Sequence, residues 1–391
     1  MQSFFKDERG SVLILVAWTF AIVGIIAAFL LYRSELEWAA VANIERNMEA
    51  RRLVEEILQE HLILLRTDDT DNDSRADAWF GGDGFSQYER DGYQVTVIIE
   101  DESSKPNLNL LTLDELQYLK LDGEQLEPLL DWIDPDDEVR PAGAELEYYQ
   151  ALSPAYKPRN GFLPSMREVL AIKGGPEIYG EIAPYCTVFG KYNLNVLVEP
   201  QLENLLLSAG FERSWVERLV NDVRSFRGEK QLKDFTSFEE LRQLSAVSLG
   251  RLEELSPLLM LSGIININFV SETGLRMILR KTGYDTDLAK TLIHRRQEEP
   301  FGELSEIQHF FNNKENPLKV GKYFTTVSTI IRYQIWLNKG RHAYYLETVQ
   351  ERVLDDEEWR LYPLSWCFLL NQEVPEIPES PLEVIEDEEV E

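Results

Sequence analysis

The longest run of apolar positions begins near the N-terminus and continues well beyond the length of one membrane span. Ser11–Tyr32 holds 22 residues without a charge, and about twenty apolar residues cross a bilayer core as a helix. Beyond this run, apolar side chains recur at helical spacing as far as Leu65, while Glu and Arg fill the opposite face. Since no Gly or Pro interrupts this second half before Thr67, the pattern predicts one continuous helix from Ser11 to about Arg66, roughly 80 Å long.

Alternating apolar and polar positions predict strands in two separate parts of the chain. Tyr93–Asp101 is the first, and three stretches rich in Tyr, Val, Ile, Thr and Trp follow near the C-terminus: Tyr323–Leu337, His342–Val353 and Glu358–Leu369. From Asn107 to about Phe311 the pattern changes to short helices and turns. The chain is therefore predicted to be an α+β protein, in which an all-α insertion of about 200 residues interrupts a small antiparallel sheet whose strand ends lie close together.

The predicted insertion contains a weak internal repeat. Each copy opens on Asn-x-Asn, reaches a glycine 14 or 15 residues later and continues with a second amphipathic run. The Asn pairs are Asn107 and Asn109, Asn193 and Asn195, and Asn266 and Asn268, and the glycines are Gly123, Gly210 and Gly283. Because Asn favours helix starts and Gly favours the turn between two helices, the pattern resembles helix-hairpin-helix (SAM-like) units.

The charge of the chain argues against nucleic acid as a partner. There are 69 Asp and Glu residues against 39 Lys and Arg, a formal net charge of −30. Nucleic-acid surfaces need clustered Lys and Arg, so we expect no nucleic-acid partner. Part of the excess lies in Glu373–Glu391, which has nine acidic residues, no basic ones and three prolines. We expect this tail to be disordered and solvated.

Two groups of carboxylates could hold Ca²⁺, which takes oxygen ligands from carboxylates and loop carbonyls. The first consists of Asp131, Asp134, Asp136, Asp137 and Glu145, with Glu138 beside them. The alternative consists of Asp69, Asp71, Asp73 and Asp77, at the alternating spacing of calcium loops. In the second group, Ser74 and Phe80 stand where an EF-hand has Gly and Glu. A solvated acidic turn is the other interpretation of each group.

No arrangement of residues in the sequence indicates a catalytic site. The four histidines are scattered without a pair at metal spacing. The two cysteines, Cys186 and Cys367, could form a disulfide or be two buried thiols, and neither has a sequence-local His partner. We therefore predict that the protein is not an enzyme.

The most specific motif lies between Leu130 and Gly161. It runs Leu-Asp-Trp-Ile-Asp-Pro-Asp-Asp from Leu130, then Gly-Ala-Glu, Tyr-Tyr and Pro-x-Tyr-x-Pro-x-Asn-Gly, which ends at Gly161. Further elements are Asp73-Ser74 with Trp79, and Pro184-Tyr-Cys-Thr-Val. Together with the long helix and the interrupted sheet, this motif resembles the K-type minor pseudopilin of type II secretion systems.

The resemblance implies processing at the N-terminus. Prepilin peptidase would cut between Gly10 and Ser11 and leave the apolar helix on the mature chain, with Ser11 methylated. Leu15 would then be the fifth mature residue, where most pilin-like subunits have a Glu that pairs with the amine of a neighbouring subunit. A lone carboxylate in lipid is costly, so an apolar residue suits a filament tip that has no neighbour above it. An ordinary lipid-facing leucine is the alternative interpretation.

The resemblance also implies partners and a location. The partners would be the I-type and J-type minor pseudopilins, the major pseudopilin, prepilin peptidase and the inner-membrane assembly platform. Contact with them is expected on the soluble half of the long helix, around Leu36–Leu65, where Ile44 and Met48 are the positions at which a charge should weaken it. The chain would cross the cell inner membrane once, with its C-terminal domain in the periplasm, and would support export of folded proteins across the outer membrane.

The patterns and the resemblance together predict a pilin-like α+β domain plan. Its segments are a prepilin-type leader at 1–10, a transmembrane helix at 11–33, the pilin-like helix and first strand at 34–104, an inserted α-helical domain at 105–320, the remaining pilin-like strands at 321–370 and an acidic tail at 371–391. Two alternative functions stay open at this point. One is a membrane-anchored helix-hairpin-helix DNA receptor, and the other is an unprocessed bitopic periplasmic adaptor.

Overall fold

A 59-residue helix, α1 (Glu8–Arg66), begins the structure. The computed structural model describes residues 8–82, 84–228, 233–312, 319–355, 358–371 and 374–378, with side chains from Leu13 onward. The predicted leader up to residue 7 and most of the acidic tail lie outside the described residues. The single helix predicted from the apolar pattern is confirmed, and among the described residues it is the one helix long and apolar enough to cross a membrane.

The chain divides into two units, and the boundary between them along the sequence falls within α1. The first unit extends to Gln59, and the second unit begins at Glu60. The second unit contains an antiparallel sheet with the strand order β1-β2-β7-β8-β9. Its strands are β1 (Phe85–Arg90), β2 (Tyr93–Asp101), β7 (Ile330–Lys339), β8 (His342–Asp355) and β9 (Glu358–Leu370). The predicted α+β class is therefore confirmed.

The central strands β2 and β7 are neighbours although most of the chain's helices lie between them in sequence. Asp101, the last residue of β2, pairs with Ile331 at the start of β7. The two ends of the intervening segment are thus held side by side by sheet hydrogen bonds. This is the geometry in which a host sheet tolerates a long insertion without loss of strand pairing.

Sequence periodicity found four of the five strands and missed β1. The bounds of β2 were predicted as observed, whereas β7 begins later than predicted, at Ile330. β1 is half-exposed and mostly polar, so it lacks the alternation that marks a strand. Asp91 and Gly92 both have positive φ, at 54° and 75°, and join β1 to β2 as a two-residue turn. An Asp-Gly pair beside a strand is a hairpin indicator that could have identified β1.

Short helices make up most of the segment between β2 and β7. The α-helices are α2 (Leu113–Leu116), α3 (Gly123–Ile133), α4 (Leu146–Gln150), α5 (Gly175–Ile182), α6 (Glu199–Ser208), α7 (Arg213–Arg227), α8 (Phe238–Arg242), α9 (Leu249–Leu255), α10 (Glu272–Thr282), α11 (Leu288–Glu298) and α12 (Leu304–Phe310). Short 3₁₀ turns lie at Glu102–Ser104, Leu108–Leu110, Met166–Ala171 and Val320–Lys322. Two-residue parallel bridges join β3 (Tyr192–Asn193) to β4 (Leu259–Met260) and β5 (Ile265–Asn266) to β6 (Phe324–Thr325).

Each copy of the repeat is associated with its own hydrophobic cluster. Trp132 and Leu129 lie in the first cluster, Trp215 in the second and Phe301 in the third, and all four side chains are buried. Complete burial of one large apolar side chain contributes about 1.5–3 kcal/mol. The inserted helices are therefore stabilised by three local cores, so no single large core is required.

The Asn-x-Asn motif acts as the same backbone clamp in all three copies. The first Asn accepts a hydrogen bond from the backbone N–H two residues later, at 3.1, 2.9 and 2.9 Å. The second Asn donates to a distant backbone C=O and accepts from the N–H of the same residue. The partners are Leu163 for Asn109, Phe235 for Asn195 and Phe301 for Asn268. A side-chain amide satisfies both backbone groups of one buried residue, which explains why the motif recurs.

The helix starts and turns fit the predicted repeat only in part. α6 and α10 begin after Val198 and Ser271, so Asn does not cap these helices, although Asn107 caps the 3₁₀ turn of the first copy. Gly210 and Gly283 have positive φ, at 87° and 71°, between α6 and α7 and between α10 and α11. In the first copy Gly123 is instead the first residue of α3. The helix-hairpin-helix assignment stays a prediction.

Candidate functional site: the N-terminal helix and the acidic clusters

The predicted processing and tip positions lie in the first turns of α1. Gly10 and Ser11 are helical, and the Ser11 side chain lies outside the described part of the chain. Leu15 is 66% exposed and belongs to a continuous apolar surface. This surface is compatible with a single-pass membrane anchor, because exposed apolar side chains are stable in lipid.

Exposed apolar side chains continue along α1 beyond the apolar run. Ile44 and Met48 are 59% and 67% exposed, and they share one helix face because they are four residues apart. Ion pairs at i,i+4 spacing, such as Arg33–Glu37 and Arg51–Glu55, lie on the same part of α1. Large apolar side chains on a charged helix are typical of a partner interface.

The aromatic residues of the Leu130–Gly161 motif form one cluster. Trp132 makes edge-to-face contacts with Tyr149 and Tyr156, at centroid distances of 5.0 and 6.4 Å. The Trp132 indole N–H donates to Glu168, and the Tyr156 hydroxyl donates to the C=O of Ala171 at 2.7 Å. The motif thus packs the loop after α3 against a cluster of aromatic rings, Trp132, Tyr149 and Tyr156, which we call the aromatic base.

Asp131 is the centre of the first acidic cluster and is fully buried. Its Oδ2 accepts from the backbone N–H groups of Arg140 at 3.2 Å and Ala144 at 2.9 Å. The Arg140 guanidinium pairs with Asp131 and also lies 2.5 Å from Asp134 Oδ2. A Cβ on Gly143 would lie 1.8 Å from Asp131 Oδ2, so only glycine fits there.

The other predicted ligands lie around this pair. Asp137 accepts from the Asn160 amide at 2.9 Å, and Asp136 accepts from the backbone N–H of Glu138 at 2.9 Å. Arg140 was not part of the sequence prediction. It supplies the positive charge between Asp131 and Asp134 where the prediction expected a cation.

Glu145 has no hydrogen-bond partner for its carboxylate. The residue is only 6% exposed, and both of its carboxylate oxygens are buried without a partner. Burial, followed by the charges of Asp131, Asp134 and Asp137, raises the pKa of Glu145 to about 7. As the side chains stand, the described residues contain no group of three or more His, Cys, Asp or Glu placed to hold a metal ion. The cluster therefore has an excess of buried carboxylate that Arg140 alone does not neutralise.

The alternative acidic loop does not bring its four carboxylates together. Asp69 and Asp71 are exposed, and Asp77 Oδ2 accepts from the backbone N–H of Ser74 at 2.6 Å. Asp73 is buried and fully hydrogen-bonded: its Oδ1 accepts from Trp79 at 3.1 Å and its Oδ2 accepts from the Ser328 N–H at 2.7 Å. The loop has a structural role, since Asp73 joins the segment after α1 to the start of β7.

A buried ion network surrounds Asp73, and sequence reasoning missed it. Arg352 of β8 is fully buried and pairs with Asp73 at 3.0 Å and with Asp68 at 3.1 Å. Ser328 links this pair to Asp101 by a hydrogen bond of 2.7 Å. Burial is the main cause that raises the pKa of Asp73 to about 6 and that of Asp101 to about 7. Arg352 and Asp73 are 279 positions apart in the sequence, so no local pattern indicates that they form an ion pair.

Two basic side chains of the third repeat copy, Lys281 and Arg296, bind within the protein. Lys281 donates to the C=O of Leu110 at 2.7 Å, and Arg296 donates to the C=O of Ile267 at 2.6 Å. Burial lowers the pKa of Arg296 to about 9. These two cations are not available to phosphates, which argues against the DNA-receptor alternative.

The two cysteines are free thiols in the described part of the chain. Cys186 is buried, which raises the pKa of its thiol to about 12, and Cys367 is half-buried on β9. The open question of a disulfide is therefore answered in favour of two thiols, of which only one is buried.

Comparison with known proteins identifies one part of the chain. Residues 108–191 match the family model described as type II secretion system, protein K. No curated protein matches the chain in sequence. Among solved structures, the crystal structure of the GspK-GspI-GspJ complex from the enterotoxigenic Escherichia coli type 2 secretion system is similar with 14% identity and a TM-score of 0.42, over 86% of this chain and 98% of the other. The resemblance predicted from the sequence is therefore confirmed over residues 108–191, which contain the acidic cluster and its aromatic base and match the protein K family of the type II secretion system.

Proposed function

We propose that the protein is the minor pseudopilin at the tip of a type II secretion pseudopilus. The carrying observation is that a protein K domain, residues 108–191, occurs in the same chain as a membrane-length apolar helix, α1. The role is structural: the helix holds the subunit in the inner membrane, and the globular part lies in the periplasm. The helices between β2 and β7 are bulky enough to block addition of another subunit above it.

Processing of the N-terminus tests this proposal directly. We expect the mature chain to begin at methylated Ser11 when prepilin peptidase is active and at Met1 when it is inactive. The measurement is mass spectrometry of the N-terminal peptide from membranes of both strains. An intact Met1 in both strains would favour the unprocessed bitopic adaptor.

The I-type and J-type minor pseudopilins are the proposed partners, and α1 is the proposed contact. Ile44→Glu is expected to reduce co-purification of all three subunits at least tenfold, because it places a charge in an apolar contact. Glu49→Lys is the matched control, since it changes the charge at an exposed position one residue from Met48. Equal co-purification of the Ile44→Glu variant and the native chain would exclude this face of α1.

We further propose that Ca²⁺ binds the first acidic cluster, with ligands drawn from Asp131, Asp134, Asp136, Asp137 and Glu145. The support is Glu145, whose two buried oxygens have no partner. Carboxylate oxygens are the ligands that Ca²⁺ prefers, and a bound ion would neutralise the charge that Arg140 leaves unbalanced. Since Glu145 has a pKa of about 7, Ca²⁺ must compete with a proton for it.

Thermal unfolding in Ca²⁺ or EGTA tests the site. At a hundredfold excess of Ca²⁺ over Kd, the free energy of unfolding should rise by about 2.7 kcal/mol, with a larger rise at pH 8 than at pH 6. The Glu145→Gln variant should lose most of this gain, and a variant with Asp69→Asn and Asp71→Asn should keep it. A gain that survives Glu145→Gln would show that Ca²⁺ acts elsewhere, and no gain at either pH would leave Arg140 as the only cation of the cluster.

A further inference from the structure

A cleft of about 460 Å³ lies in the second unit, between one face of the sheet and the inserted helices. The sheet supplies Trp336 and Tyr345, α5 supplies Tyr179, and Arg167 also lines the cleft. Cavities of this size, with aromatic walls and a few charged groups, are typical binding sites for small molecules and peptide segments. Neither the proposed filament role nor the acidic cluster uses this cleft.

A short segment of the same chain, Val374–Pro378, occupies one side of the cleft. We call this segment the strap. Pro375, Glu376 and Pro378 line the cleft, and the Trp336 indole N–H donates to the C=O of Pro375 at 3.0 Å. Val374 and Ile377 pack against the cluster of Ile98, Trp336 and Tyr345. The strap thus makes both a specific hydrogen bond and an apolar contact.

The spacing within the strap matches an extended peptide ligand. Val374 and Ile377 are three residues apart, as are Pro375 and Pro378. An extended polyproline-type chain has three residues per turn, so each pair would lie on one side. In that conformation one side would carry the aliphatic residues that contact the sheet, and a neighbouring side would carry the prolines. Proline also restricts the free chain, which lowers the entropy cost of binding.

We propose that this cleft is a binding site for an extended, proline-flanked acidic peptide, and that the strap is its resident, displaceable occupant. A hydrogen bond from Trp336 to Pro375 joins the strap to the sheet, and its other described contacts with the sheet are apolar. A peptide of the same sequence can therefore exchange with the strap. Because the strap is tethered at the end of β9, its effective concentration is in the millimolar range, and it competes strongly with any external peptide.

Peptide binding to the full-length protein in detergent tests the proposal. The probe is a fluorescent peptide with the sequence of residues 372–380, followed by anisotropy. In a strap-released variant, Val374→Asp with Ile377→Asp, the peptide should bind at least tenfold more tightly than in the native chain, since a millimolar competitor has been removed. Adding Trp336→Phe to the released variant should weaken this binding at least fivefold, because the indole donor is lost.

A matched control and two outcomes decide the interpretation. Leu354→Asp with Leu364→Asp changes two exposed leucines of β8 and β9 that do not line the cleft, and this variant should bind the peptide as weakly as the native chain. Equal binding to the native and the strap-released chain would overturn the proposal, because the strap would then not occupy the peptide site. Failure of the peptide to bind either chain, with native-like circular dichroism, would also overturn it.

Discussion

Replacement of Arg352 by methionine is expected to lower the free energy of unfolding by about 3–5 kcal/mol at pH 8. Arg352 is completely buried, and it is the cation that pairs with both Asp73 and Asp68. Methionine fills similar volume but leaves Asp73 as an uncompensated charge in a site only 1% exposed. The measurement is chemical unfolding of the full chain in detergent, followed by tryptophan fluorescence.

Two comparison variants show whether the loss comes from the unpaired charge. Arg360→Met removes the pair of Arg360 with Asp355, whose side chains are about half-exposed, and should cost only about 0–1 kcal/mol. Asp73→Asn combined with Arg352→Met should recover part of the lost stability, because the buried charge is then absent. If Arg352→Met costs no more than Arg360→Met, the network contributes nothing measurable to stability.

The loss in free energy of unfolding caused by Arg352→Met should be smaller at pH 5 than at pH 8. The pKa of Asp73 is raised to about 6 even with Arg352 beside it, and removal of the cation would raise it further. At pH 5 Asp73 in the variant therefore takes up a proton, and its buried charge disappears. A penalty that is equal at pH 5 and pH 8 would contradict this explanation.

The elements that were predictable from the sequence are those with local patterns. The apolar run and helical spacing predicted α1, and period-two alternation predicted β2 and the three C-terminal strands. The half-exposed polar strand β1 lacks that pattern, because its place in the sheet comes from pairing with β2 through the Asp91-Gly92 turn. The repeated Asn-x-Asn motif was visible, but its use as a backbone clamp depends on Leu163, Phe235 and Phe301, which are distant in sequence.

The candidate sites show the same division between local and distant information. The motif from Leu130 to Gly161 carried the family resemblance, and its residues contact each other within one short stretch of the chain. The two acidic groups looked equivalent in sequence, and only the fold separates them. Asp73 is satisfied by Arg352, a residue 279 positions away, whereas Glu145 has no partner. Long-range partners decide which carboxylate is structural and which is available to a ligand.

The stability of the second unit is expected to fall as the pH rises from about 5 to 8, with Asp101 as the main cause. Burial raises the pKa of Asp101 from its ordinary value of 3.8 to about 7, so the folded state favours the protonated acid. The stabilising contribution is complete below about pH 4, and it is lost as the pH rises through 7. Asp73 and Glu145, with pKa values of about 6 and 7, act in the same direction. The half-buried His61, whose pKa is lowered mainly by burial, acts in the opposite direction because folding favours its neutral form.

Asp101→Asn isolates the contribution of this carboxyl group. Asparagine keeps an acceptor for the Ser103 N–H, and its amide can donate to the Ser328 hydroxyl, so it resembles the protonated acid. The variant should be more stable than the native chain at pH 8, and its advantage in free energy of unfolding should grow by about 3 kcal/mol between pH 5 and pH 8. The measurement is denaturant unfolding between pH 5 and pH 8. A variant that is less stable than the native chain at pH 8 would mean that the folded state uses ionised Asp101, for example as a second partner for Arg352.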